Sequence, residues 1–175
     1  MHLETERLIL RDFFMDDLQD LHEIFSDPEA MKNTEPPYSI ERTTSFLKEF
    51  CVNSDSKSAY AVVLKETDKV IGYILFMPID EPEIFETGWI INKDYWQQGY
   101  AFEICTELIR HGFEDMGLHK ICAEAIDDEK SVSLMKKLDM QFEGVQRKHS
   151  RNNDGDWCDL HRYAILAEDY ISRKH

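Results

Sequence analysis

The strongest constraint on how this chain folds is a short apolar strand that passes through a tight turn into a long, one-sided helix. Gly88-Trp89-Ile90-Ile91 reads as a buried strand and residues 92–98 as the turn. From Gly99 onward, Ala101, Ile104, Cys105, Leu108, Ile109 and Phe113 recur on one helical stripe, with Glu103, Glu107, Arg110 and Glu114 on the other. A helix apolar on one side and wet on the other has to lie against another layer of structure.

The rest of the chain supplies that layer. Residues 6–11 read as a strand, and Leu18, Leu21, Ile24 and Phe25 fall at helical spacing. Ser39 caps a second helix carrying Ile40, Phe46, Leu47 and Phe50. Residues 60–64 and 70–76 form a hairpin, and residues 85–91 form a strand after a loop around Pro82. Beyond the long helix come a strand at 120–126, a helix with Val132, Met135 and Leu138 capped by Asp127 or Asp128, and two strands at 141–147 and 157–166. The order β-α-α-β-β-β-α-β-α-β-β describes an α/β protein with a mixed sheet and helices on both faces. A doubly wound parallel fold has a different order.

Length and the absence of any repeat or linker fit one domain, residues 1–175. With 20 basic against 35 acidic residues the formal net charge is −15, which disfavours nucleic acid and anionic membranes as partners. No apolar run approaches the ~20 residues that span a bilayer. Met1-His2-Leu3-Glu4 lacks a secretory pattern, so the expected compartment is cytoplasmic. Cys51, Cys105, Cys122 and Cys158 are far apart and are expected to be reduced, mostly buried thiols, with no metal site among them.

The turn before the long helix carries the chemistry. Amides in a helix's first turn lack internal partners and sit at the positive end of its dipole, so small residues at Gly99 and Ala101 let phosphate oxygens approach the backbone. No Lys-Ser/Thr follows the glycine, and G-x-G-x-x-G is absent, so neither a Walker loop nor a dinucleotide fingerprint is present. A seat for phosphate and a plain tight turn both remain open at this point.

The neighbouring residues extend the pattern. Trp96-Gln97-Gln98-Gly99-Tyr100-Ala101 resembles the Gln/Arg-x-x-Gly-x-Gly/Ala loop of the GNAT acetyltransferases. The chain is most similar to the branch of ribosomal-protein N-terminal acetyltransferases (RimJ/RimL-like). The opening at residues 4–11, the strand at 85–90, the helix from Asp128-x-x-Ser131 to Leu138-Asp139-Met140, and Glu143-Gly144 with Asp159-x-x-x-Tyr163 in the last hairpin resemble that branch in order and spacing. Trp96 stands where Gln or Arg is usual, Gln97 where Gly is common, Asp128 in place of Asn, Asp139 in place of Gly, and Met135 where many relatives have tyrosine.

The resemblance implies the GNAT fold: a mostly antiparallel sheet with one parallel pair that splays apart. It implies acetyl-CoA as co-substrate, bound by the loop Trp96-Gln97-Gln98-Gly99-Tyr100-Ala101, with pantetheine along Trp89, Ile90 and Ile91, the diphosphate on the N–H groups of Gln98 to Ala101, and Asp128 and Ser131 close by. A strand N–H near Ile90 would polarise the thioester. An amine then attacks directly, with Glu86 or His149 as general base and Ser131 protonating the departing thiolate. The acceptor is a primary amine on a protein N-terminus or a small molecule, with its pocket shaped by loops at 33–38 and 78–84. A non-catalytic acyl-CoA-binding module and an unrelated phosphate-ester binder are the alternatives. The edge of the last hairpin suits pairing with a second copy.

Overall fold

The computed structural model describes residues 1–126 and 129–172. Its strands are β1 (His2–Glu4), β2 (Leu8–Asp12), β3 (Ala59–Leu64), β4 (Lys69–Ile79), β5 (Glu81–Ile91), β6 (Lys120–Ile126), β7 (Gln141–Arg151) and β8 (Trp157–Leu166). They form one sheet in the order β1-β2-β3-β4-β5-β6-β8-β7. Every neighbouring pair is antiparallel except β5 and β6, which run parallel.

Helices α1 (Leu18–Phe25) and α2 (Ile40–Phe46) cover one face, and α2 continues into a π-helical stretch, Leu47–Val52. On that face Phe13, Leu21, Ile24, Phe25, Leu47 and Tyr73 form one core. Helices α3 (Tyr100–Glu114) and α4 (Glu129–Lys137) cover the other face. There Ile74, Phe76, Ile104, Leu108, Ile121, Met135 and Ile165 form the larger core. The apolar stripe of α3 is the one its sequence spacing requires, with Ile104 and Leu108 fully buried. Cys51, Cys105 and Cys122 are buried free thiols. Burial pushes Cys51 and Cys105 up to about 12, which leaves them inert as nucleophiles.

Three features differ from the sequence expectation. Strand β1 and the short helix α5 (Ala167–Ser172) were not anticipated. The expected loop around Pro82 is instead the start of β5, and β4 turns directly into it at Asp80, where φ is +52°. Aspartate tolerates that left-handed conformation. Pro82 is accommodated because pairing with β6 begins only at Ile84, so no ladder donor is missed.

Gly72 lets the centre of the sheet close up. It faces Val62 and Ile91 beside a register shift in the β3–β4 pairing. A Cβ there would lie 2.5 Å from Ile91 Cδ1 and 3.2 Å from the Ile90 carbonyl oxygen. Gly72→Ala is expected to cost about 1–3 kcal/mol through overpacking, read as a lower denaturation midpoint with an unchanged m-value.

Candidate active site

Strands β5 and β6 pair over only three positions, Ile84↔Lys120, Phe85↔Ile121 and Glu86↔Cys122. Beyond them both strands continue, β5 to Ile91 and β6 to Ile126, without facing ladder partners. The result is a wedge that opens toward the C-terminal ends of the two strands. At its vertex Thr87 is buried, and its hydroxyl has no hydrogen-bond partner among the described residues.

The alternation of backbone groups identifies which of them face the wedge. Asn92 N–H donates to Ile71 O on β4 at 2.9 Å, so the amides of even-numbered residues in this stretch point toward β4. The groups of Trp89 and Ile91 therefore point into the wedge, and those of Ile90 point away. Near Ile90, the strand amides that face the wedge are therefore those of its two neighbours, Trp89 and Ile91.

The turn at the mouth of the wedge is held from several sides. Asn92, 3% exposed, donates through its side-chain amide to Glu23 (3.0 Å) and accepts from Asp94 N–H (3.0 Å). Trp96 donates its indole N–H to Ile91 O at 2.7 Å, and the Gln98 side chain donates to Asp94 O at 3.3 Å. The backbone is left-handed at Gln97 (φ +61°) and again at Gly99 (φ +83°), the N-cap of α3. The helical ladder from that cap starts with Glu103 N–H to Gly99 O at 3.0 Å. Tyr100, Ala101 and Phe102 thus offer first-turn amides. Trp96 and Gln98 shape the turn with their side chains.

Arg7 was missed in the sequence. Its guanidinium pairs with Glu103 (Nη2–Oε2 2.6 Å), donates to Gln98 O (3.1 Å) and lies 4.4 Å from the centre of the Tyr100 ring. Thr5 donates to the same Glu103 at 2.6 Å. Nothing local marks this clamp, because it joins residues about a hundred positions apart.

On the face covered by α1 and α2, Glu86 comes near Glu124 of β6 and Arg162 of β8. Arg162 Nε donates to Glu124 at 2.8 Å, whereas Glu86 makes no side-chain hydrogen bond among the described residues. Burial holds the Glu86 carboxyl above its ordinary range, the like charge of Glu124 adds to this, and Arg162 opposes it. Glu124 was also missed, although an acid inside the apolar run Ile121-Cys122-Ala123-Glu124-Ala125-Ile126 was the available signal.

The turn between β7 and β8 reaches over this face. Asn153 donates its side-chain amide to Met31 O (3.1 Å) and Glu35 O (3.2 Å), tying the hairpin to the loop before α2. Tyr38 donates to Glu35 (3.2 Å), and the Arg42 guanidinium, itself paired with Glu35, stacks 3.8 Å from the Tyr38 ring centre. The 33–38 loop therefore adjoins the hairpin tip. The 78–84 segment does not: it is the β4–β5 hairpin at the closed end of the wedge, where Glu83 O accepts from His119 N–H at 2.9 Å.

His149 lies exposed on β7, the edge strand, with β8 and β6 between it and β5, so it is not brought together with Glu86. Ser131 is half-buried in the first turn of α4. Asp128 lies outside the described residues. Among the described residues, no three His, Cys, Asp or Glu side chains converge to hold a metal ion, and no helix is long and apolar enough to cross a membrane.

A mixed sheet whose single parallel pair parts into a wedge, with the amide-rich start of a helix at its mouth, is the architecture of an acetyl-CoA-dependent N-acyltransferase. The family model described as the acetyltransferase (GNAT) domain matches residues 7–141, and the chain belongs to that family. It is 33% identical over 172 residues to the uncharacterized N-acetyltransferase YnaD of Bacillus subtilis (strain 168), with 97% of this chain and 99% of the relative covered. A crystal structure of a GNAT-family acetyltransferase from Bacillus anthracis superposes with a TM-score of 0.88 at 29% identity, covering 96% of this chain and 99% of that one. A spermidine N-acetyltransferase from Vibrio cholerae, solved with CoA and spermine, has a TM-score of 0.82 at 21% identity over 95% of this chain and 99% of that one, a likeness of fold. The protein is an acetyl-CoA-dependent N-acetyltransferase.

Proposed function

We propose that residues 1–175 act as one cytoplasmic domain that moves the acetyl group of acetyl-CoA to a primary amine in a ternary complex, without an acyl-enzyme. The acceptor is a cationic amine on a partly apolar body, such as a protein N-terminus or a small-molecule amine. A place in the RimJ/RimL-like branch would favour the former. The Vibrio cholerae spermidine acetyltransferase shares the fold and favours testing polyamines as well.

The observation that carries this reading is the parting of β5 and β6 immediately after Glu86 and Cys122. It leaves backbone groups of Trp89 and Ile91 for the pantetheine arm and a carboxylate at the vertex, on the face away from α3. The diphosphate rests on amides of residues 98–101, next to left-handed Gly99.

Glu86 takes the proton of the acceptor ammonium, directly or through water. The free amine attacks the thioester carbon, with an amide of Trp89 or Ile91 donating to the oxyanion. The C–S bond then breaks; the thiolate takes a proton from the Ser131 hydroxyl or from water relayed by it, the second proton of the attacking nitrogen replaces the one given up, which leaves a neutral amide and free CoA, and Glu86 returns its proton to solvent. Glu86 is preferred to His149 because it stands at the point of parting. The acidic surface draws cations toward the site.

The test is free-CoA release with acetyl-CoA and a panel of peptides, polyamines and monoamines. Release with cationic amines is expected to fall as salt rises. Tight acetyl-CoA binding with no release across the panel would replace this reading with that of a non-catalytic binding module.

A further inference from the structure

We propose that the buried hydroxyl of Thr87 donates a hydrogen bond to the coenzyme sulfur as the C–S bond breaks. The proposal rests on the reading above that the thioester sits where β5 and β6 part.

Thr87 is the first residue of β5 beyond the last pair of the parallel ladder, Glu86↔Cys122. It is 2% exposed, and its hydroxyl is closed to water and has no hydrogen-bond partner among the described residues. A buried hydroxyl left unpaired costs free energy, and the few that folded chains keep call for a reason. The position of this one supplies the reason. Among the residues whose backbone faces the wedge, Ile91 and Trp89 lie on the way inward from the mouth, and Thr87 comes next. A pantetheine arm that follows the first two ends beside the third.

The side chains of Glu86 and Thr87 project from opposite faces of the sheet. Thr87 stands across from Phe76 on β4, and Phe76, Phe85 and Trp89 belong with the core under α3 and α4. Glu86 shares its face with Gly88 and with Ile90, which packs against the core under α1 and α2. An added Cβ at Gly88 would meet nothing closer than Leu75 Cβ at 3.7 Å, so that face has room for the acceptor. The amine freed by Glu86 therefore attacks from one face. As the carbonyl carbon becomes tetrahedral, its oxygen, methyl and sulfur bend toward the other face, the one Thr87 occupies. The oxygen is taken by the strand amides. The sulfur gains charge beside a core of Phe76, Ile121, Ala123 and Met135, whose side chains have no hydrogen to donate. Thr87 supplies that donor. The contact strengthens as the C–S bond lengthens, so it acts on the barrier and not on ground-state binding. The hydroxyl keeps its own proton. The electron pair of the broken bond goes to sulfur, and the proton that neutralises the thiolate arrives as described above.

The test compares wild type, Thr87→Val and Thr87→Ser in three measurements. These are thermal melting, titration of the thiol of bound CoA by its thiolate absorbance, and turnover of acetyl-CoA with the fastest amine of the panel. Thr87→Val keeps the shape and removes an unpaired hydroxyl, so the free protein is expected to melt about 2–4 °C higher. Its kcat should fall about tenfold or more, with the Kd for CoA little changed. Bound CoA should form its thiolate at a pH about 1 higher than in wild type, because a hydrogen bond to the charged form has gone. Thr87→Ser, which keeps the donor, should recover the titration and most of the turnover. A lower melting temperature in Thr87→Val, a kcat within about twofold of wild type, or an unchanged thiol titration overturns the proposal. Glu86→Gln reports separately on the underlying reading. Lost turnover there with normal turnover in Thr87→Val rejects the Thr87 contact alone, and normal turnover in both rejects the thioester's place at the parting of the strands.

Discussion

Replacing Glu86 with Gln is expected to lower turnover by about 10²-fold or more, the usual contribution of a positioned general base, while raising the melting temperature at neutral pH. Both effects come from one cause. The carboxyl is half-buried, makes no side-chain hydrogen bond among the described residues, and faces Glu124, whose own partner is Arg162. A carboxyl held above its ordinary range binds its proton more tightly in the folded chain than in the unfolded one. The stability it contributes is fully present below the unfolded value, about 4.3, and is lost as pH rises through the raised folded value. At neutral pH the ionised carboxylate therefore costs stability, and a neutral amide of the same shape removes that cost.

The melting-temperature gap between Glu86→Gln and wild type should close as the solution is acidified toward the unfolded value. The kinetic side carries its own sign. The base acts only when deprotonated, so kcat/KM of the wild type should fall on the acid side through a limb lying above the ordinary glutamate range. In the variant that limb should vanish, and the rate should follow the amine's own deprotonation. The Cys122 thiol, itself pushed up by burial, stays protonated across this range. Unchanged turnover with an unchanged acid limb would remove Glu86 from the mechanism.

The elements that bury one face were legible because their periodicity is physical. The stripe of α3, the strand at 120–126 and the continuous apolar runs of the central strands follow from which side chains water rejects. The turn at Asp80 was not legible, because two prolines and several acids on either side look like a loop. Those prolines sit where no neighbouring strand demands their missing N–H, and only the sheet topology reveals that. The same limit governs the site. Glu86 and the Gly99 turn, the parts of the site proposed from the sequence, lie within one contiguous segment. The Arg7 clamp, the Arg162–Glu124 pair and the Asn153 strap each join distant segments, and no spacing rule links them. Which amides near Ile90 face the wedge was not legible, because strand alternation turns on a register that the ladder with β4 fixes.

Gly99→Ala is expected to weaken acetyl-CoA binding by about tenfold to a hundredfold, the loss of one well-aligned charge-assisted hydrogen bond, with a modest loss of stability. Space is not the obstacle: an added Cβ meets only Arg7 Nη2, at 3.6 Å. The obstacle is the backbone, because φ of +83° places residue 99 where an L side chain costs about 1–2 kcal/mol. Alanine relaxes that strain by rotating the peptide groups beside it, and those groups carry the amides proposed to hold the diphosphate. Gly117, just beyond α3, provides the control. Its φ is +69°, and a Cβ there meets nothing within 4 Å. Gly117→Ala should therefore lose similar stability in a denaturant melt and bind acetyl-CoA as wild type does. Matched stability losses with a binding defect only in Gly99→Ala would locate the diphosphate at the start of α3. Equal binding in the two variants would require the coenzyme to be held elsewhere.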